Sequence, residues 1–502
     1  MTPDTAAPAE PAVSPTSDRP ELSSLGRHVR RGLGWKAASQ MTAQITRTAM
    51  TIILAHLLAP SAFGLAGMVL LFIGLIQLLA DVGFSASLVQ LPTVSEEDRS
   101  TAFWMGLGIA VVLFGLSIAA APAVAAFYHA PRLRWMFVAV ATGFITTALS
   151  TTQASLLWRR MEFRALEIRA MLSTIVSAAV GIGAAAAGLG TWSLILQANA
   201  LSVTSMIAVW FLSPWKPHLV FSRNSLGRIA GFSSNVLFAR FLDYGDRNAD
   251  NLLIGRVLGS TALGIYSIGY SVIIIPFTRL ADPIRNLITP ALAALQRDLG
   301  AMRALWLRGT RAVASIVFPV MVGVIVVCPD FVPIVLGNRW RPATTIIEVL
   351  AWVGLIQSVS FLSGAVYQSC NRSGLLLQVN AVAFALDLAS FIVGLHWGVR
   401  GVAIAYALMN TVVVTPLRLV VVTRLLGYRL RSLASELRGI TEATVLMAAA
   451  TLLLREFLEL RGVGDVVRLP ACIVVGMIVY AVACRWREPR VLYELKRLRP
   501  SV

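Results

Sequence analysis

The sequence predicts an all-α protein that crosses a membrane many times, and two observations predict it. Hydrophobic residues make up 57% of the 502 residues and charged residues only 14%, and the mean hydropathy is +0.74. Fourteen apolar windows follow one another along the chain, each near the roughly 20 residues that one helical crossing needs. A soluble chain of this length would carry far more charge, so these features place the protein in a membrane.

The predicted spans divide the chain into two six-helix lobes and a C-terminal pair. They cover 34–57, 62–89, 101–127, 134–157, 165–187, 190–213, 229–256, 261–289, 309–329, 343–368, 375–394, 399–423, 437–455 and 467–484. We expect an N-lobe at 34–213, a cytoplasmic linker at 214–228 and a C-lobe at 229–424. Residues 1–33, rich in Pro, Ala and Ser at their start, are predicted to be a disordered tail and a short interfacial segment. Residues 425–502 hold the last two spans and a basic tail.

The basic residues predict the orientation of the chain. There are 43 Lys and Arg against 25 Asp and Glu, a net charge of +18. With the N terminus in the cytoplasm, 28 basic residues fall in cytoplasmic segments or the span ends next to them, nine in outer segments or the span ends next to them, and the remaining six within spans. Short cytoplasmic loops are enriched in Lys and Arg, so both termini are predicted to be cytoplasmic. Because the basic residues are scattered over many loops without a recognition motif, nucleic acid is not predicted as a partner.

No pattern in the sequence predicts an enzyme or a metal site. The five histidines are dispersed, the four cysteines form no CxxC pair, and no HExxH or Walker motif occurs. Every connection between predicted spans is short, which leaves no soluble domain for an ATPase. We therefore expect a secondary transporter without a cofactor.

An internal repeat supports the division into two lobes. ILAHLLAPSAFGLAGMVLLFIG, from Ile53, aligns at an offset of 200 residues with LIGRVLGSTALGIYSIGYSVII, from Leu253. Four positions are identical, among them Gly64 and Gly264, and the match falls at the first hairpin of each six-span block. Two such parallel repeats are related by a pseudo-twofold axis along the membrane normal, with the substrate site between them.

The first span of each lobe carries a polar stripe, and the second span carries ionisable residues as well. An ionised side chain at the bilayer centre costs at least about 2.5–3.5 kcal/mol, so such groups face a cavity or one another. In the first span of the first lobe, helical spacing aligns one face of polar residues: Gln40, Gln44, Arg47 and Thr51. In the first span of the second lobe it aligns Arg240, Asp243, Arg247 and Asp250, with Asp246 beside them. The second spans carry Asp81 in the first lobe and Arg279, Asp282 and Arg285 in the second. A water-filled cleft between the lobes is predicted.

Mutual ion pairs are the alternative interpretation of these charges. Arg240 and Arg247 each lie one turn from Asp243 and could merely connect helices. Glu348, Asp387 and Arg418 on later spans fit an interhelical pair or an interfacial position as well as they fit a functional role.

Two stretches resemble a known transporter family. Residues 250–298, DNLLIGRVLGSTALGIYSIGYSVIIIPFTRLADPIRNLITPALAALQRD, and residues 54–90, LAHLLAPSAFGLAGMVLLFIGLIQLLADVGFSASLVQ, resemble Wzx-type polysaccharide repeat-unit flippases of the multidrug/oligosaccharidyl-lipid/polysaccharide exporter superfamily. The resemblance extends over about 30–430. It implies two six-helix lobes around a central cavity that opens alternately to either side, lined by helices one, two, seven and eight. It also implies a bacterial inner-membrane location, an undecaprenyl-pyrophosphate-linked oligosaccharide as cargo, and glycosyltransferases and a polymerase in the same pathway.

The charged residues of the predicted cavity suit that cargo. Arginine offers planar, bidentate donors to phosphate oxygens and stays charged when desolvated. Predicted substrate-binding residues are Arg47, Gln44, Gln40, Arg240, Arg247 and Arg279, and predicted H⁺- or Na⁺-coupling residues are Asp243, Asp250, Asp246, Asp81 and Asp282. A drug or cation exporter of the same superfamily, a peptidoglycan-precursor flippase and a membrane polysaccharide polymerase or ligase are the alternatives.

Overall fold

The computed structural model describes residues 22–80, 88, 89, 91, 93–223, 225 and 234–487; the side chains of 22–38, 79, 80, 234–243, 246, 276 and 373 lie outside that description. The described helices are α1 (Leu22–Leu57), α2 (Pro60–Ala80), α3 (Glu96–Phe127), α4 (Leu133–Arg159), α5 (Phe163–Ala186), α6 (Trp192–Leu212), α7 (Ser234–Pro276), α8 (Asp282–Ala294), α9 (Leu299–Phe331), α10 (Ala343–Ser360), α11 (Ser363–Ser369), α12 (Ser373–Gly394), α13 (Gly398–Met409), α14 (Thr415–Leu425), α15 (Leu430–Leu460) and α16 (Asp465–Arg487).

The described residues confirm a multi-pass helical membrane protein. Eleven stretches are long and apolar enough to cross a membrane. Two of them, Arg247–Ala294 with 48 residues and Gly374–Leu425 with 52, far exceed the roughly 20 residues of a single crossing. Each is interrupted by a glycine with positive φ, Gly259 at 84° and Gly398 at 71°. Each therefore accommodates two predicted spans, and together with α1 the helices are consistent with fourteen crossings.

Helix α1 begins earlier than predicted. The predicted span starts at residue 34, whereas the helix starts at Leu22. Residues 22–33 are rich in Arg and Leu, which are good helix formers. Apolar windows identify only the part of a helix that crosses the hydrocarbon core. They therefore do not show where the helix continues into polar sequence. The predicted disordered tail lies outside the described residues up to position 21.

The two halves meet backbone to backbone near one membrane face. We call the face at which α1 begins the near face, and the face at which α1 ends and α2 begins the far face. A Cβ atom on Gly64 of α2 would overlap the carbonyl oxygen of Ser260, and a Cβ on Gly264 would overlap the carbonyl oxygen of Pro60. The 200-residue repeat aligns these two glycines. Their reciprocal contacts are the arrangement that a pseudo-twofold relation between the halves predicts.

Each half also contacts the first helix of the other half near the far face. The Trp340 indole donates a hydrogen bond to the carbonyl oxygen of Ala55 (2.8 Å) and packs edge-on against Phe63. On the other side of the contact, an Arg256 guanidinium nitrogen lies 2.6 Å from His129 Nδ1. Together with the glycine contact, these interactions close the far face.

The last two helices are attached to the second half. In the middle third of α9, Arg311 pairs with Glu436 of α15 at 3.0 Å. Near the end of α9, the buried Asp330 pairs with Arg455 of α15 at 2.8 Å and with Arg468 of α16 at 2.5 Å. These pairs at two levels of α9 attach α15 and α16 to the second half.

The linker between the halves docks at the start of α3. The Trp215 indole donates to Glu96 at 2.6 Å, and the Ser100 hydroxyl accepts from the backbone N–H of His218 at 3.2 Å. Of the predicted linker, 214–228, the structure describes 214–223 and 225.

Candidate functional site

The polar stripe of α1 faces the second half of the molecule. Arg279 Nη1 donates to Gln40 Oε1 at 3.3 Å, which joins the two halves. Gln44 and Arg47 lie on the same helical stripe as Gln40, and therefore face the same way. Gln44 donates to Thr48 at 3.3 Å, and the side chain of Arg47 is exposed.

The depth of Arg47 separates it from both interlobe contacts. Arg47 lies ten residues before the end of α1 at Leu57, about 15 Å at the helical rise of 1.5 Å per residue. This is near the middle of a hydrocarbon core about 30 Å thick. Gln40 lies about 10 Å closer to the near face by the same measure. Arg47 is thus positioned between the Gly64–Gly264 contact and the Gln40–Arg279 contact.

Arg279 lies in a π-helical segment, Phe277–Ala281, directly before α8. Pro283 occupies the first turn of α8 and has no backbone N–H to donate, which favours a local widening of the helix. Two residues of that first turn, Asp282 and Arg285, pair at 2.7 Å, and the Arg285 guanidinium lies over the Phe361 ring. Two of the predicted charges therefore neutralise each other.

The second half encloses a cavity of about 360 Å³. Its lining includes two predicted residues of α7, together with polar and charged residues of α8, α10, α12, α13 and α14. The charged lining residues are Arg247, Asp250, Asp282, Arg285, Asp387 and Arg418. Three arginines therefore face three aspartates in one cavity, and the net charge alone does not choose between an anionic and a cationic ligand.

Two aspartates of this lining are buried. Asp250 is 4% exposed and Asp387 is 8% exposed. Asn410 Nδ2 donates to Asp387 Oδ1 at 2.9 Å, and Gln357 Nε2 donates to Asn410 Oδ1 and to the Tyr406 hydroxyl, both at 2.9 Å. Asp250, Asp387, Gln357 and Tyr406 all line the same cavity. We call Asp250, Asp387, Asn410, Gln357 and Tyr406 the acidic network.

A second π-helical segment positions part of this network. Asn410–Val414 is π-helical and is followed by Pro416 in the first turn of α14. As at Pro283, the missing N–H favours a widened turn, and such turns are frequent at functional sites. Asn410 is fully buried at the start of this segment, where its side chain reaches Asp387.

The structure brings together some of the predicted residues. Gln40 and Arg279 are in contact, and Arg247, Asp250 and Asp282 line the cavity. The side chains of Arg240, Asp243 and Asp246, and all of Asp81, lie outside the described residues. Among the residues whose side chains are described, no group of three or more His, Cys, Asp or Glu could hold a metal ion.

The predicted site residues did not include Gln357, Asp387 and Arg418, which line the cavity, or Asn410, which donates to Asp387. One local signal existed, because Tyr406 and Asn410 are four residues apart and share a helix face in an apolar span. Asp387 alone gave no such signal, since its partner lies on a different helix.

The comparisons with known proteins agree with this fold. The polysaccharide biosynthesis protein family matches residues 53–345. The chain is 24% identical over 396 residues to the teichuronic acid biosynthesis protein TuaB of Bacillus subtilis, covering 78% of this chain and 82% of that protein. It is 24% identical over 397 residues to the lipopolysaccharide biosynthesis protein WzxC of Escherichia coli, covering 78% and 80%.

A solved structure shares the fold despite low sequence identity. The lipid II flippase MurJ in an inward closed conformation matches with a TM-score of 0.70 at 11% identity, over 91% of this chain and 99% of that one. The resemblance to Wzx-type flippases is confirmed by the family match and these relatives. Because that match spans more than half of the residues, the chain belongs to the polysaccharide biosynthesis protein family.

Proposed function

We propose that the protein flips undecaprenyl-pyrophosphate-linked polysaccharide repeat units across the bacterial inner membrane by alternating access. The cargo moves from the cytoplasmic to the periplasmic leaflet, and both termini are cytoplasmic. The near face is then cytoplasmic, and the closed far face is periplasmic. Family membership and the names of the two curated relatives support a role in polysaccharide biosynthesis.

Arg47 is the observation that carries this proposal. It lies near mid-membrane on a stripe that faces the other half, and no carboxylate of the described residues pairs with it. An ionised side chain in that position is costly unless a counter-ion or water accompanies it. A pyrophosphate supplies several anionic oxygens, which a guanidinium binds in a bidentate manner. Cargo bound at Arg47 would contact side chains of both halves, and it would therefore favour the conformation in which those contacts form.

We further propose that the acidic network binds the coupling ion. Burial penalises two ionised carboxylates that line one cavity, and a proton or a Na⁺ ion relieves that penalty. Asp250 and Asp387 belong to helices far apart in sequence, so an ion bound in their cavity would stabilise one arrangement of α7 against α12. Moving one charge across 100 mV supplies about 2.3 kcal/mol, which is enough to bias a conformational cycle.

The test is export in a strain that lacks its own repeat-unit flippase and carries this protein with the enzymes of its pathway. Arg47→Ala should abolish polysaccharide export while the protein inserts at normal abundance. Arg47→Lys should restore only part of the export, because an ammonium lacks the bidentate fork. Met41→Ala, on a different, exposed side of α1, is the matched control and should export as the wild type does.

Three outcomes would contradict the proposal or a part of it. Full export by Arg47→Ala would remove the anion-binding role of this residue. Failure of the wild type to restore export, combined with resistance to a cationic drug such as ethidium, would instead favour the drug exporter of the same superfamily. Rescue of a strain depleted of its peptidoglycan-precursor flippase would contradict the proposed cargo while leaving lipid-linked transport in place.

A further inference from the structure

The cavity of the second half contains a cationic side chain without a counter-ion among the described residues. Arg418 lies on α14 and lines the cavity. Its Nε atom is buried and has no hydrogen-bond partner, and no carboxylate within the described ranges lies at ion-pair distance from its guanidinium. Arg285, in the same lining, is already paired with Asp282 at 2.7 Å. Arg418 is therefore available for a ligand.

The backbone of Arg418 is held in a fixed position. The hydroxyl of Tyr367, which is 1% exposed, donates to the carbonyl oxygen of Arg418 at 2.9 Å. Arg418 lies seven residues before the end of α14 at Leu425, about 10 Å inside that end at the helical rise of 1.5 Å per residue. Its buried Nε and its place in the cavity lining differ from an arginine that extends along lipid to the membrane surface. Arg424, exposed in the last turn of the same helix, has that interfacial position.

A second donor without a partner faces the same cavity. Ser363, at the start of α11, is 2% exposed, and its buried hydroxyl oxygen has no hydrogen-bond partner among the described residues. It lines the cavity together with Arg418. Buried polar groups are normally satisfied, and one that is not calls for a ligand, a water molecule or an ion. A guanidinium and a hydroxyl that lack partners are both donors, and the ligand that satisfies both is an acceptor with negative charge.

We propose that Arg418, assisted by Ser363, binds an oxyanion of the transported cargo. This inference rests on the proposed function and adds a second anion-binding position to it, in the C-lobe. The oxyanion is either a phosphate of the lipid pyrophosphate or the carboxylate of an acidic sugar. The cavity of about 360 Å³ is near the lower end of the roughly 300–1,000 Å³ of small-ligand pockets. It therefore accommodates one charged group of the cargo, while the remainder of the repeat unit lies between the halves.

The experiment measures binding to purified full-length protein. Thermal unfolding would be followed during titration with three probes: undecaprenyl pyrophosphate, glucuronic acid and undecaprenol, which has no phosphate. Arg418→Gln should weaken the binding of an oxyanion probe by about 10- to 100-fold, because it removes charge-assisted hydrogen bonds. Undecaprenol should bind as before. Loss confined to undecaprenyl pyrophosphate identifies the lipid phosphate as the ligand, and loss confined to glucuronic acid identifies a sugar carboxylate.

Two further variants control the measurement. Arg424→Gln removes an exposed arginine from the same helix and should bind every probe as the wild type does. Arg418→Lys keeps the charge and should bind with intermediate affinity, since it lacks the bidentate fork. If Arg418→Gln does not fold, Arg418→Lys decides the question by the same comparison.

Three results would overturn the inference. One is unchanged affinity of the folded Arg418 variants for both oxyanion probes, and another is a wild type that binds neither of them. The third is an equal loss of undecaprenol binding, which would mean a general defect. Failure of the proposed function is distinguishable, because the wild type would then not restore polysaccharide export whatever its affinity for the isolated probes.

Discussion

The far-face contact between the halves predicts the effect of adding a single methyl group. In Gly64→Ala the new Cβ would overlap the Ser260 carbonyl oxygen, a backbone atom that no side-chain rotation can move away. Overpacking of a close contact typically costs about 1–3 kcal/mol, which corresponds to a shift of about 5- to 150-fold in a two-state equilibrium. The substitution should therefore move the population from the closed far face towards the open one by that factor.

The assay is a distance measurement across the far face. Spin labels at Arg132 and Arg339, which are exposed in the two halves, report the ratio of closed to open molecules by pulsed electron resonance. Gly67→Ala is the matched control, because its Cβ would lie 3.7 Å from a Leu263 methyl group, an ordinary contact. Both variants gain the same helix propensity. The same distance distribution for Gly64→Ala and Gly67→Ala would refute the role assigned to the glycine contact.

Three other predictions concern orientation, coupling and stability. In a cysteine-free background, Gln296→Cys should be labelled only from the cytoplasm and Asn338→Cys only from the periplasm. The opposite labelling would contradict the proposed orientation and, with it, the proposed direction of transport. Asp387→Asn should leave lipid-linked oligosaccharide binding intact but remove the response of transport to a Na⁺ or pH gradient, and an unchanged response would assign Asp387 to packing alone. Asp330→Asn removes the buried carboxylate that Arg455 and Arg468 share, although Glu459 and Asp465 remain near them. It should lower the free energy of unfolding by about 1.5–3 kcal/mol, the contribution of a charge-assisted hydrogen bond. Glu442→Gln, in an exposed pair with Arg438, should leave the unfolding transition in place; equal transitions for both variants would contradict the attachment of the last two helices.

Most of the fold could be predicted because hydrocarbon imposes a simple requirement on sequence. A span must be apolar over the thickness of the bilayer, so the predicted span 134–157 corresponds to Leu133–Arg159 and 190–213 corresponds to Trp192–Leu212. The same requirement says nothing about helix outside the hydrocarbon. The early start of α1 at Leu22 was missed for that reason. The number of fourteen crossings stays a prediction with which the described helices are consistent.

The candidate site could be predicted only where its residues follow one another along one helix. The stripe from Gln40 to Arg47 follows from helical spacing, and the contact of Gln40 with Arg279 agrees with its expected direction. No role could be assigned to Asp387 and Arg418 from the sequence, because their role depends on which side chains of α7, α10 and α13 lie opposite them. In the sequence each is a lone charge in an apolar span. The roles assigned to all these residues stay predictions until they are tested by substitution.

The most direct test of the central claim is transport by the purified protein in liposomes. Undecaprenyl-pyrophosphate-linked repeat units would be placed in both leaflets, and a glycan-modifying reagent added outside would report the fraction that remains protected. The account predicts that wild-type protein makes the protected fraction reachable over time, and that Arg47→Ala does not. A protected fraction that stays constant with folded wild-type protein, under every imposed Na⁺, pH and potential gradient, would contradict the account.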